Sequence, residues 1–410
     1  MNGHESESIH SDDVSIFSSH ISNEILNQTE NLMKQYVFPF ILFITSLLYS
    51  SPVAAQEQIL IVVTNNTVVQ ATIDGKDSTI AGGYTLSEVT QAFDVFIKSG
   101  FTVDFMSPHG GMTQYEPEEK LSDLDKAFIN NPEIMAQLKN TLSPKQINAS
   151  EYNAIYFAGG KTLWDFPNNN ELASLTASIY EQGGVVGAIC HGPGALLNVT
   201  LSNGDRLIEG KNISSFTNLE EQLFSKAAEF YPFMLQDELT RLGATYQEAP
   251  PLFDQSVVDG RLVTGQNPLS TYSVAEDMIV LMGKTPPQRP WDQLSFTVSV
   301  VQNAVQHGKT KTYQFIDSHD SDSLLDERLL AELSIYGSRG YMGKEVQNKG
   351  IPLLEIASEL IPNNPQILEE LARIHYKNGD IKQAEQYLSE SLQIDPDSET
   401  ANELKNEMEQ

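Results

Sequence analysis

The sequence predicts an α/β fold, with a parallel sheet sandwiched by helices, followed by a small all-α region built on a helical repeat. Three observations carry this. From about residue 58 to residue 284, short β-branched apolar runs alternate with amphipathic stretches. Each run is nearly continuous in apolar residues, the pattern of a strand covered on both faces. Near the C-terminal end, Pro362 and Pro396 stand 34 residues apart within helically spaced apolar positions, which is a repeat period.

Taken in order, Ile59–Val63 reads as the first strand. Leu86–Ser99 places Val89, Phe93, Phe96 and Ile97 on one helical face and stops at Gly100. Phe101–Met106 is a second strand closed by Ser107-Pro108. Tyr152–Ala158 is a third, running into Gly159-Gly160, and Gly184–Ile189 a fourth, ending at Cys190. In such sheets the chemistry gathers at the carboxyl ends of the strands. Three segments lie there: Ser107-Pro108-His109-Gly110-Gly111, Gly159-Gly160-Lys161 and Cys190-His191-Gly192.

Composition removes several functions. Among 410 residues, 55 acidic and 25 basic side chains give a formal net charge of −30. That argues against sequence-independent nucleic-acid binding, which needs clustered Lys and Arg, and against docking on anionic lipid. Cys190 is the single cysteine, so an intramolecular disulfide and zinc sites of several thiolates are excluded. No metal site is expected.

The N-terminal end reads as two pieces. Residues 1–32 are polar, with six acidic groups and no Lys or Arg, and are expected to be a disordered extension or a mis-assigned start. Residues 33–55 join Lys34 to an apolar run of 14 residues, Tyr36–Tyr49, and to the small residues Val53-Ala54-Ala55 before Gln56. This is the pattern of a secretory signal peptide; the run is short for a membrane span, which takes ~20 residues. An N-terminal anchor helix is the alternative. Translation is expected to begin at Met33, with the mature chain exported to the bacterial periplasm or beyond and not inserted in the membrane.

The strongest chemical signal is Gly187-Ala188-Ile189-Cys190-His191-Gly192-Pro193. A strand runs into a tight turn and an expected helix with the thiol at the turn, a nucleophile elbow with Cys in place of Ser. The helix N-terminus would favour the thiolate and offer N–H groups to an oxyanion. A lone cysteine is often only a small buried hydrophobe; the glycines and the histidine distinguish this one.

These residues resemble the nucleophile motif of the ThiJ/PfpI family, in the class I glutamine amidotransferase-like superfamily. Further segments resemble its glyoxalase III and chaperone-like branch: Ser107–Gly111, Ala158-Gly159-Gly160 with Trp164-Asp165-Phe166-Pro167, Phe216–Glu221, Pro232–Leu235 and Gly265-Gln266-Asn267-Pro268. The resemblance implies a flavodoxin-like sandwich over residues 56–284, a homodimer, and cofactor-free action on small aldehydes such as methylglyoxal. It assigns Cys190 as nucleophile and His191 as base or proton shuttle. It also assigns Glu88 as the acid beside the thiol and Glu220, with Glu221 as rival, as the acid orienting the histidine. Gly159, Gly160, Lys161, Trp164 and Gly192 would line the substrate and oxyanion site. The branch carries His where this chain has Lys161, which can polarise a carbonyl but shuttles protons near neutral pH only if its pKa is lowered.

Residues 285–330 read as a partly structured connector and 331–410 as helical repeats. The window Asn364–Asp397 resembles a tetratricopeptide repeat, and Ser398–Glu409 a capping helix. The tail is either a plain helical hairpin or a surface for a protein or peptide partner. No candidate catalytic residue lies beyond Glu221, so turnover is expected to reside in residues 56–284. Two functions follow: a cysteine-dependent lyase or hydrolase of small reactive carbonyls, or an exported holdase or scaffold in which the cysteine is redox-sensing or vestigial. Protein isolated from its native host is expected to begin at or near Gln56. Intact mass checks this, and a chain still carrying residues 1–32 would refute both the export and the Met33 start.

Overall fold

β1 (Gln58–Val62) sets the pattern of the sheet. Ile59 and Ile61 turn to one core, Leu60 and Val62 to the other, and all four are fully buried. A strand with two buried faces has no polar alternation. The computed structural model describes residues 57–409, apart from 74–75, 118–119, 226–230, 290, 320 and 342–343. The extension 1–32 and the signal segment 33–55 lie outside the described residues.

A hairpin of β2 (Val68–Ile73) and β3 (Lys76–Ala81) follows. Then come α1 (Leu86–Lys98), β4 (Thr102–Met106), α2 (Asp123–Ile129) and α3 (Pro132–Leu138). β5 (Ala154–Phe157), α4 (Asn170–Glu181) and β6 (Val185–Ile189) lead to the elbow. Beyond it lie β7 (Asn212–Ile213), α5 (Asn218–Phe224), α6 (Leu235–Arg241) and β8 (Thr245–Tyr246). β9 (Ser256–Asp259), β10 (Leu262–Gly265) and α7 (Thr271–Leu281) complete the α/β part.

The sheet runs β4-β1-β5-β6-β10-β9, parallel except for the antiparallel edge strand β9. Residues of α1 and α7 bury one face and those of α4 and α6 the other, the sandwich that the sequence predicts. The four expected strands and the first helix fall within two residues of their observed bounds. The hairpin, β10 and the β9 edge carry no comparable apolar signal; β3, Lys-Asp-Ser-Thr-Ile-Ala, has four polar residues in six.

The stretch read as a connector carries α8 (Gln293–Asp317), interrupted at Gly308, whose φ of 72° and ψ of 179° leave the helical region. α9 (Glu327–Arg339), α10 (Ile351–Leu360), α11 (Pro365–Lys377), α12 (Ile381–Ile394) and α13 (Glu399–Met408) follow. α11 starts where Asn364 accepts from the Gln366 and Ile367 N–H groups with Pro365 in the first turn. Ala401 and Leu404 of α13 close on Ala372 and Leu388.

A third core joins Phe296 and Val300 of α8, Leu333 of α9, Leu353 and Leu354 of α10 and Leu371 of α11. It also includes Phe253, from the loop before β9. Phe296 is fully buried, stacked on Phe315 at 5.4 Å and met edge-on by Trp291 at 6.2 Å. Phe296→Ala is expected to cost about 3–5 kcal/mol, read as a lowered urea midpoint. An unchanged midpoint would mean that α8 adds nothing to stability.

Candidate functional site

Cys190 follows β6 at φ 57°, left-handed backbone that a side chain rarely adopts. Both of its backbone groups are pinned: its N–H donates to Gly265 O and its C=O accepts from Phe216 N–H, each at 2.9 Å. Small residues are required around it. A Cβ on Gly192 would stand 2.3 Å from Phe157 O, and one on Gly159 2.8 Å from both Cys190 Cβ and Glu88 Oε2. The elbow geometry is therefore present, but the expected helix is not. Gly192–Leu196 is a single 3₁₀ stretch, so the thiol has no long helix dipole behind it.

His191 and its carboxylate come next. Cys190 Sγ lies 3.3 Å from His191 Nδ1, and His191 Nε2 lies 2.5 Å from Glu221 Oε1. With Nε2–H donated to Glu221, Nδ1 is left as the acceptor facing the thiol. The partner of the histidine is thus Glu221 and not Glu220. Glu220 is occupied elsewhere. Its Oε2 accepts from the Thr217 N–H and hydroxyl at 3.1 and 3.0 Å, and its Oε1 from Leu252 N–H, Gln266 Nε2 and Asn267 Nδ2 at 2.9, 3.1 and 2.8 Å. Five donors exhaust the acceptor capacity of one carboxylate.

Glu88, in the first turn of α1, reaches the same thiol. Its Oε2 accepts from Gly159 N–H at 2.5 Å, it hydrogen-bonds Cys190, and it is fully buried. Burial pushes its carboxyl up to about 8, so at neutral pH it holds a proton to donate. Burial likewise pushes the Cys190 thiol up, and charges on Glu88 and Glu221 add to this. The acidic thiol expected from the sequence therefore has burial against it. Glu88 works in its favour only while protonated, when it donates to sulfur instead of repelling it.

The remaining candidates divide. Gly159 spends its N–H on Glu88 and is no oxyanion donor. Gly160, at φ 96°, would bring a Cβ 2.4 Å from Gly83 O. Lys161 is engaged by both oxygens of Glu116, at 3.1 and 3.3 Å, instead of standing free for a carbonyl. Trp164 packs on Tyr231 at 5.2 Å, and Tyr231 packs on His191 at 5.2 Å, with Phe216 on the same imidazole at 5.0 Å. Glu116 and Tyr231 escaped the sequence reading; Tyr231 directly precedes the Pro232–Leu235 segment, a signal that could have found it. Among the described residues no group of three or more His, Cys, Asp or Glu could hold a metal ion.

The Glu88 proton has a thermodynamic signature. The native state keeps it up to about pH 8, whereas an unfolded glutamate loses it near its ordinary value of about 4.3. Its contribution to stability is complete below that value and is lost as pH rises toward 8. Urea unfolding at pH 5, 6.5 and 8 should show wild type losing stability relative to Glu88→Gln as pH rises. The slope should approach roughly 1.4 kcal/mol per pH unit; a constant difference would mean that Glu88 is ionised in the native state.

Comparison with known proteins agrees with this architecture. A model of the DJ-1/PfpI family matches residues 79–281, and a tetratricopeptide repeat model matches residues 348–407. The chain is 35% identical over 210 residues to the glutathione-independent glyoxalase HSP31 of Saccharomyces cerevisiae, covering 47% of this chain and 86% of that one. It is 33% identical over 218 residues to glyoxalase 3 of Candida albicans, covering 50% and 90%. The X-ray structure of the Francisella tularensis Rapid Encystment Protein 24 KDa superposes with a TM-score of 0.51 at 32% identity, covering 55% of this chain and 99% of that one. The parallel sandwich, the strained cysteine and these relatives together show that the chain belongs to the DJ-1/PfpI family, with a tetratricopeptide-type repeat at its C-terminal end.

Proposed function

We propose that the chain is a cofactor-independent glyoxalase that converts methylglyoxal to lactate on Cys190. The observation that carries this reading is the line from Cys190 Sγ through His191 to Glu221, with the Glu88 carboxyl against the same sulfur. Relatives named as a glutathione-independent glyoxalase and as glyoxalase 3 support it.

The steps balance without an external oxidant. His191 Nδ1 takes the thiol proton as sulfur bonds to the aldehyde carbon, and the carbonyl oxygen becomes a hydroxyl with the proton of Glu88. Glu221 stabilises the imidazolium so formed. The backbone N–H groups of Gly160 and His191 are the donors proposed for the developing oxyanion. The proton on the former aldehyde carbon then moves to the adjacent ketone carbon through an enediol, leaving a lactoyl thioester. One carbon is oxidised as its neighbour is reduced. Water adds to the thioester, the C–S bond breaks, lactate leaves, and sulfur and Glu88 recover their protons. The aromatic wall of buried Phe216 and half-buried Tyr231 and Trp164 suits a small, weakly polar substrate. The helical repeat offers a surface on which a protein partner could be received.

Lactate release from methylglyoxal should vanish in Cys190→Ser and fall roughly 100-fold in Glu221→Gln. Glu220→Gln should show mainly as a lowered melting temperature, because that side chain holds backbone and amides in place. Wild-type turnover in Cys190→Ser would remove the thiol from the mechanism. Equal kcat losses with equal melting temperatures in the two glutamate variants would undo the division of roles.

A further inference from the structure

Helix α5, which carries Glu221, has only seven residues, and its placement comes from its neighbours. At its start, Thr217 and Glu220 form a reciprocal cap, and Glu220 Oε1 accepts the Leu252 N–H at 2.9 Å. Leu252 belongs to the loop 249–253, which is pressed against α9. A Cβ on Gly337 would lie 2.4 Å from the Phe253 ring, and one on Gly340 2.7 Å from Pro250 Cα. At the other end of α5, Phe224 meets Tyr336 of α9 edge-on, with ring centroids 4.8 Å apart at 81°. Both ends of α5 are thus held by one helix, and that helix lies outside the stretch 79–281 matched by the family model.

We infer that α9 is a positioning element of the catalytic site: through Tyr336 directly, and through Gly337 and its C-terminal cap Gly340 by way of loop 249–253, it fixes α5 and aims Glu221 at His191. This rests on the role proposed above for Glu221. It departs from the expectation that residues 56–284 are sufficient for turnover. Tyr336 is a positioning residue and touches no reacting atom. The pairing it protects is demanding, because Glu221 Oε2 is buried without a partner and a displaced α5 has no second carboxylate contact with which to hold the imidazole.

The test uses the full chain. Two readouts are followed: kcat and KM on methylglyoxal, and the pH profile of Cys190 alkylation by iodoacetamide, which needs no substrate. Tyr336→Ala is expected to lower kcat about tenfold or more with KM within about twofold, and to move the alkylation profile in the same direction as Glu221→Gln. Tyr336→Phe keeps the ring and should restore both. In the double variant Tyr336→Ala/Glu221→Gln, kcat should fall no further than in Glu221→Gln alone, whereas general destabilisation adds to it. Where Tyr336→Ala is unfolded by circular dichroism, Phe224→Leu removes the same contact from the other side. If Glu221→Gln is slow and shifted while the folded contact variant matches wild type, the inference is overturned. If Glu221→Gln itself matches wild type in both readouts, the assignment of Glu221 fails, and the positioning role falls with it.

Discussion

With φ at 57°, Cys190 stands in a region that costs a side chain about 1–3 kcal/mol, and most of the site can be traced to what sustains it. The thiol is turned out of the strand end only while Gly265 and Phe216 hold both backbone groups of the residue. Those anchors belong to β10 and to the segment leading into α5, so the fifth parallel strand and the glutamate helix are both tied to the elbow. Gly159 and Gly192 are the corresponding voids. Each removes a Cβ that would strike the cysteine, its acid or the neighbouring strand.

Three buried glutamates surround this point, and their chemistry is separated by how many donors each receives. Glu220 receives five and serves as a structural rivet. Glu221 receives one, from the imidazole, and keeps Oε2 unpartnered. Glu88 receives one backbone N–H, at Oε2, meets the Cys190 thiol with its carboxyl, and carries a proton instead of a charge. An acid stripped of donors and water either binds a proton or waits for a reacting group. Adjacent positions in the chain therefore have unlike roles, set by the direction each side chain takes from α5.

Much of this was legible in the sequence because it depends on local pattern. Continuous apolar runs marked β1, β4, β5 and β6, and Gly-x-x-Cys-His-Gly-Pro marked the strained turn. The choice between Glu220 and Glu221 was not legible. It turns on Gln266, Asn267 and Leu252, more than thirty residues away, whose amides claim one acid and leave the other. The 3₁₀ stretch after the elbow was hidden for a related reason: Ala195-Leu196-Leu197 reads as a helix until Pro193, Gly194 and the close approach of Phe157 O to Gly192 are taken together. The packing of the tail was equally invisible, since an amphipathic helix announces that it has a partner without saying which one.

The contact of Phe253 with Gly337 bears on how the molecule is made. Synthesis delivers the sheet, the elbow and α7 well before α9, so during that interval the ring of Phe253 and the Pro250-Pro251 pair face water where two glycines will later close over them. The nascent α/β part holds its elbow cysteine before the loop behind α5 has found its backing. Completion of the third core then comes with the last quarter of the chain, and residues 57–410 form a single compact unit. On the ribosome, the backing of α5 in this way arrives late, with a helix that contributes no atom to the Cys190–His191–Glu221 line.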